Sequence, residues 1–194
     1  ALEGAELVPF DTLRDPRLPR VDGLFFGGGF PETHARELAA NETLRADIRA
    51  RLAAGLPAYA ECGGLMYLSR SIRWGDEALP MVGVVPADAV MHARPQGRGY
   101  VQLRETGAHP WASGGFPGPG EVTPAHEFHY SSLENVDPGL TYAYEVVRGT
   151  GIDGRHDGVV IGNLLASYAH LRGHAGNPWP RRFVAQVRRV RAAA

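Results

Sequence analysis

"LPAYAECGGLMYL", residues 56–68, holds the chain's single cysteine, Cys62, between a short apolar run and two consecutive glycines. A cysteine that merely fills a core has no need of Gly63 and Gly64 beside it. A nucleophile carried on a sharp strand-to-helix turn does, because larger neighbours would clash there. Ala60, Cys62 and Gly64 satisfy the small-x-nucleophile-x-small spacing of such an elbow. The stretch therefore reads as a buried strand, "LPAYA", a turn at Cys62, and a helix starting in "GGLMYLSRSI". The first N–H groups of that helix would stabilise a thiolate, and the Gly63 N–H is placed to hold a developing oxyanion.

Upstream of the elbow, "VDGLFFGGGFPE" reads as an apolar strand that ends in Gly27, Gly28 and Gly29 and a tight loop. Helix formers run from Thr33 to about Ala54, with Leu38, Leu44, Ile48 and Leu52 at helical spacing, Asn41 as a cap between two helices and Gly55 as the stop. A further short strand is expected near Glu6 to Phe10. Strand, crossover helix and strand in this order predict a doubly wound, mostly parallel α/β sheet, with its site at the carboxyl ends of the strands. Downstream, "MVGVVPADAVM", "GYVQLRE", "AHEFHYSSL" and "TYAYEVVR" are strand-like and suggest antiparallel additions, and "ASGGFPGPGE", residues 112–121, reads as a flexible loop. "GVVIGNLLASYAH" reads as one last buried strand, and "PWPRRFVAQVRRVRAAA" as a closing helix with Phe183, Val184, Val187 and Val190 turned inward.

With 194 residues, 44% of them hydrophobic, and a net charge of −1, the chain suits one compact soluble domain and shows no bias towards nucleic acid or a membrane surface. No apolar run approaches the roughly 20 residues of a membrane-spanning helix, and the start has no signal-peptide pattern, which points to the cytoplasm. One cysteine supplies neither an internal disulfide nor a multi-thiolate metal site. All 20 of the Lys and Arg residues are arginine. This excludes a Walker A phosphate loop and a Schiff-base lysine within the chain.

A reactive cysteine needs a base. Of the eight histidines, His170 ends an apolar strand expected on the same sheet edge as Cys62, which makes it the first choice. His126 and His129, in "HEFHYSS" with Glu127, are further candidates or polar residues satisfied in a sheet. His34, His92, His109 and His156 stand in contexts that read as solvated. Two rival readings exist. One is a metal hydrolase using His126/His129 or His170/His174, although "HEFH" is one residue short of the HExxH spacing. The other is a non-catalytic α/β protein whose elbow cysteine senses oxidation or packs.

Together, "VDGLFFGGGFPE", "AYAECGGLMYL", "GYVQLRE", "HEFHYSS" and "GNLLASYAHL" resemble, in order and spacing, the glutamine amidotransferase domain of the cobyrinic acid a,c-diamide synthase family, a class I triad-type amidotransferase. The resemblance spans nearly the whole chain. It implies a class I amidotransferase fold, with Cys62 as nucleophile, His170 as general base and acid, and Gly28, Gly29 and Gly63 as the oxyanion hole. Tyr130 and Ser131 match a stretch that contacts the substrate glutamine. It also implies that residues 1–194 lack the domain's first strand and that an ATP- and Mg-dependent synthetase domain, which amidates a tetrapyrrole, lies outside this chain. No cofactor or metal is expected in the chain itself. Relatives that amidate cobyrinate, hydrogenobyrinate, nickel-sirohydrochlorin or sirohaem share the glutaminase motifs.

The sequence departs from this family after the last strand, where Tyr168 to Gly173 read "YAHLRG" and Arg172 stands two residues beyond His170, at a position where many triad amidotransferases carry glutamate. Arginine accepts no imidazole proton, so the orienting carboxylate is expected from elsewhere, with Glu127 the leading candidate and a Cys–His dyad the alternative. Strand alternation beside the elbow argues that the Glu61 side chain turns away.

Overall fold

The computed structural model describes residues 3–111, 121–173 and 176–193. Most of the loop read at residues 112–121, and His174, lie outside the described residues. The elements run β1 (Leu24–Phe26), a 3₁₀ turn (Pro31–His34), α1 (Ala35–Ala40), α2 (Glu42–Ala53), β2 (Ala58–Glu61), α3 (Gly63–Leu68), β3 (Ser69–Trp74), β4 (Glu77–Pro80) and β5 (Val85–Met91). They continue with β6 (Gly97–Glu105), β7 (Val122–His129), β8 (Ser131–Glu134), β9 (Thr141–Arg148), β10 (His156–Ile161), β11 (Leu164–Ser167), β12 (His170–Leu171) and α4 (Trp179–Ala193).

An eight-stranded sheet has the order β1-β2-β11-β10-β9-β6-β7-β12, and a four-stranded sheet has the order β4-β3-β5-β8. In the large sheet only β1–β2 and β2–β11 are parallel, and the other pairings are antiparallel. The α/β class holds, but the sheet is mixed rather than mostly parallel, because the apolar run after β9 folds into an antiparallel hairpin and the parallel portion is confined to the three strands β1, β2 and β11. Short β2 is buried along its whole length, as expected for a strand covered on both faces. Ala58 and Ala60 face a core shared with α1, α2 and α3, together with Leu164 and Ala166 of β11. Tyr59 and Leu165 face the opposite core, where Trp179 and Phe183 of α4 pack. Helices therefore cover both faces, the double winding that the strand–helix order predicts.

The helical stretch before the elbow follows its sequence signals. The Asn41 side chain accepts the N–H of Leu44 at the start of α2, and Gly55 takes a left-handed φ of 91° at its end. Four expectations change. Glu6 to Phe10 is not a strand, so β1 (Leu24–Phe26) is the first strand among the described residues. α3 stops at Leu68 and "SRSI" enters β3, where Val85 and Asp88 of β5 pair with it. "GVVIGNLLAS" is a hairpin, β10 and β11, turned at Gly162 with φ 57°. β11 is buried along its length and β10 in part, so apolar residues flank a turn marked only by Gly162 and Asn163. His109 is also not solvated: its side chain is buried, hydrogen-bonded to the Tyr144 hydroxyl, and burial followed by the charge of Arg182 pushes its pKa down to about 3.

The glycines beside Cys62 are required by contact. A Cβ on Gly63 would lie 2.5 Å from the Gly29 carbonyl oxygen, and one on Gly64 would lie 2.5 Å from the Phe26 carbonyl oxygen. Both obstacles are backbone, which cannot swing aside. Gly64→Ala is expected to destabilise the fold by about 1–3 kcal/mol, the usual cost of forcing extra atoms into a packed interior. Urea denaturation checks this; an unchanged midpoint at unchanged slope would contradict the close packing of β1 on α3.

Candidate active site

Cys62 has φ 48° and ψ −102°, a left-handed backbone rare for a non-glycine residue. β2 ends at Glu61, Cys62 makes the turn, and Gly63 opens α3. The Cys62 N–H donates to the Ser167 carbonyl at 2.7 Å, and the Cys62 carbonyl accepts the Met66 N–H at 3.1 Å. The first bond ties the elbow to the end of β11, which runs parallel to β2 with Ser167 opposite Glu61. Three residues later the chain delivers His170. His170 thus comes to Cys62 not as the end of the apolar strand, which stops at Ser167, but as the first residue of β12, which pairs with β7.

His170 is partly exposed, and its Nδ1 lies 3.4 Å from Oε2 of Glu61. The imidazole is pushed up to about 9, chiefly by its hydrogen bond to Cys62, then by its bond to Glu61, against the opposing effect of burial. Cysteine, histidine and carboxylate therefore form a continuous line. Glu61 is itself fixed: its Oε1 accepts the Tyr59 hydroxyl at 2.5 Å and the Leu171 N–H at 2.9 Å. One carboxylate holds both the His170 ring and the backbone immediately after it. On the other side, Asp157 of β10 accepts the N–H groups of Tyr168 (3.0 Å) and Ala169 (2.9 Å), so the segment before His170 is held as well.

The carboxylate beside His170 is Glu61, not Glu127. Alternation along β2 places Tyr59 and Glu61 on the same face, opposite Ala58 and Ala60, and the left-handed turn at Cys62 then redirects the chain. Extrapolating the alternation through Cys62 is what misplaces Glu61. Glu127 lies on the buried side of β7, where its two oxygens accept the N–H groups of Thr150 and Gly151, each at 2.8 Å, and one approaches His129 Nε2 at 3.7 Å. Burial works to raise its pKa, but the Gly151 and Thr150 N–H groups and the neighbouring His129 ring hold it down.

The glycine loop meets both partners. A Cβ on Gly28 would lie 2.4 Å from Cε1 of His170, and Gly29 lies against Gly63. Gly28, Gly29 and Gly63 are thus gathered beside Cys62. A cavity of about 330 Å³ opens next to them, lined by Phe26, Gly27, Gly29, Phe30, Gly63 and Tyr67 among others. Phe128, at the end of β7, accepts the Cys62 thiol through its carbonyl at 3.7 Å. That strand end leads into Tyr130, which is exposed, and Ser131, whose buried hydroxyl pairs with that of Tyr168 at 2.9 Å. The Ser131 hydroxyl is thereby turned into the core.

The metal-ligand pairing of His126 with His129 does not hold, because alternation on β7 places His126 outside against His170 and His129 inside, stacked on Tyr168. Among the described residues, no group of three or more His, Cys, Asp and Glu side chains is arranged to hold a metal ion.

The fold is the one that glutamine amidotransferases of known structure share. A glutamine amidotransferase of known structure superposes with a TM-score of 0.60 at 18% identity, covering 86% of this chain and 79% of the other. The structure of PurLQS from Thermotoga maritima gives 0.61 at 16% identity, covering 92% and 83%. Residues 1–178 match the CobB/CobQ-like glutamine amidotransferase domain, and the chain belongs to that family. Over 91% of its length it is 44% identical to the cobyrinate a,c-diamide synthase of Magnetococcus marinus, and over 90% it is 42% identical to that of Methanosarcina acetivorans. It spans 37% and 36% of those two relatives' lengths.

Two outcomes are expected. Glu61→Gln should lower glutamine hydrolysis by up to about 10⁴-fold, the scale of a triad aspartate-to-asparagine change, whereas Glu127→Gln should cost less than about tenfold; the reverse order in steady-state assays would return the orienting role to Glu127. The His170 imidazole should titrate near 9 by NMR and move down in Glu61→Gln. Because its folded value is raised, the stabilisation is fully present below the ordinary 6.5 and is lost as pH rises through about 9. A ring titrating at its ordinary value in the native protein would contradict the pairing.

Proposed function

We propose that this domain hydrolyses glutamine through a cysteine thioester and supplies ammonia to an ATP- and Mg-dependent synthetase domain of the same polypeptide, which amidates the a and c acetate side chains of cobyrinate. The observation that carries the chemistry is Cys62 on its strained turn, in line with His170 and Glu61. The reading of the acceptor rests on the names of the similar full-length proteins. Hydrogenobyrinate, sirohydrochlorin and sirohaem are acceptors of the same chemical kind.

In the first half-reaction the Cys62 thiolate attacks the side-chain carboxamide carbon, and the carbonyl becomes an oxyanion facing the backbone N–H groups of Gly63 and of Gly28 or Gly29. The C–N bond then breaks, His170 gives its proton to the departing ammonia, and a glutamyl thioester remains on Cys62. In the second, His170 takes a proton from water, the hydroxide adds to the thioester carbonyl, and glutamate leaves as the thiolate is regenerated. Glu61 orients the ring throughout and stabilises its imidazolium form whenever it carries the proton. Tyr130, exposed and packed on Phe128, whose carbonyl meets the Cys62 thiol, is the group of the "HEFHYSS" segment that would meet the glutamine, while the Ser131 hydroxyl is bound to Tyr168. An oxidation sensor would need neither the Glu61 partner nor the glycine loop packed on His170.

Cys62→Ala in the full-length protein should abolish glutamine-dependent amidation while leaving amidation with added ammonium largely intact. Product formation from both nitrogen donors measures this. Loss of the ammonium-supported reaction in a correctly folded variant would contradict the division of labour.

A further inference from the structure

β12 pairs antiparallel with β7, and the residue opposite His170 is His126. Directly opposed residues of neighbouring antiparallel strands project to the same side of the sheet. Here the two imidazoles lie nearly parallel, with centroids 4.8 Å apart and an interplanar angle of 14°. His126 is on the exposed side of β7, so its ring is not placed by core packing. Its pKa is pushed down, first by desolvation and then by the charge of His170, with Glu61 opposing. A neutral ring therefore faces the imidazolium.

The other contacts of His170 leave one freedom open. Glu61 and Cys62 direct the ring in its own plane, and Gly28 approaches its Cε1 edge. None of these is a flat surface that sets the tilt of that plane. Tilting would swing the imidazole off the line between the thiol and the carboxylate, and misplacement of a reacting group by about 1 Å can cost on the order of 10²-fold in rate.

The geometry points to His126 as a positioning residue, a flat plate that holds the plane of the His170 ring in line with Cys62 and Glu61. This rests on the reading of Cys62 and His170 as the reacting pair. The part His126 plays is the flatness of its ring, so an aromatic side chain without nitrogen atoms substitutes for it and a small aliphatic one does not.

The test compares His126→Ala and His126→Phe in the full-length protein, with glutamine hydrolysis and iodoacetamide alkylation of Cys62, located by peptide mass spectrometry, as two independent readouts. His126→Ala should lower kcat by about tenfold to a hundredfold with little change in KM, and slow alkylation at neutral pH; His126→Phe should restore both to within a few-fold. Should His126→Ala fold poorly, as judged by its thermal transition, His126→Leu takes its place with the same expectation. Wild-type values in the aliphatic variant overturn the inference, as does an equal loss in the aliphatic and Phe variants. A wild-type Cys62 no more reactive than a free thiol would instead overturn the proposed function, so the two failures are distinguishable.

Discussion

The left-handed backbone of Cys62 is the constraint from which the rest of the site follows. Such a conformation costs on the order of 1–3 kcal/mol and persists only where its surroundings over-determine it. Here they do. The Cys62 N–H is tied to β11 and its carbonyl to the first turn of α3, while the two glycines that follow press directly on the backbone of Gly29 and Phe26. The same contacts set the distance between elbow and glycine loop. A side chain at either glycine would push the elbow away from the backbone of β1 and the glycine loop.

Buried carboxylates hold the opposing wall. Glu61 grips the ring of His170 and the N–H of Leu171, Asp157 grips Tyr168 and Ala169, and Glu127 closes the neighbouring turn at Thr150 and Gly151. Burial pushes Asp157 up to about 6, although the N–H groups of Ala169, Tyr168 and Gly158 favour its charged form. Of the three, only Glu61 reaches the histidine. The others shape the backbone from which the histidine is displayed, which is why a carboxylate in a suggestive motif, such as Glu127 in "HEFHYSS", is not by itself a triad member.

The elbow was legible in the sequence because its requirement is local: a small residue before the cysteine and glycines after it. His170 was legible because it closely follows an apolar run whose last arm, β11, pairs in parallel with β2 and so ends beside the elbow. The capped helices before the elbow were legible for the same local reasons. Glu61 was not, because its orientation depends on where alternation stops, and a single left-handed residue stops it. The β10–β11 hairpin was hidden because only Gly162 and Asn163 separate two apolar arms, and the burial of His109 depends, besides neighbouring Trp111, on Tyr144 and Arg182 brought from distant positions. The stack of His126 on His170 is likewise a matter of register between β7 and β12, which no stretch of sequence states.

The central claim is that Cys62, paired with His170, forms a covalent bond to the side-chain carbonyl of glutamine. A diazoketone or chloroketone analogue of glutamine, incubated with the full-length protein and followed by intact and peptide mass spectrometry, tests it most directly. One equivalent of adduct on the peptide bearing Cys62, prevented by excess glutamine, is the predicted result; an absence of adduct at Cys62, or labelling there that glutamine does not compete, would contradict the account.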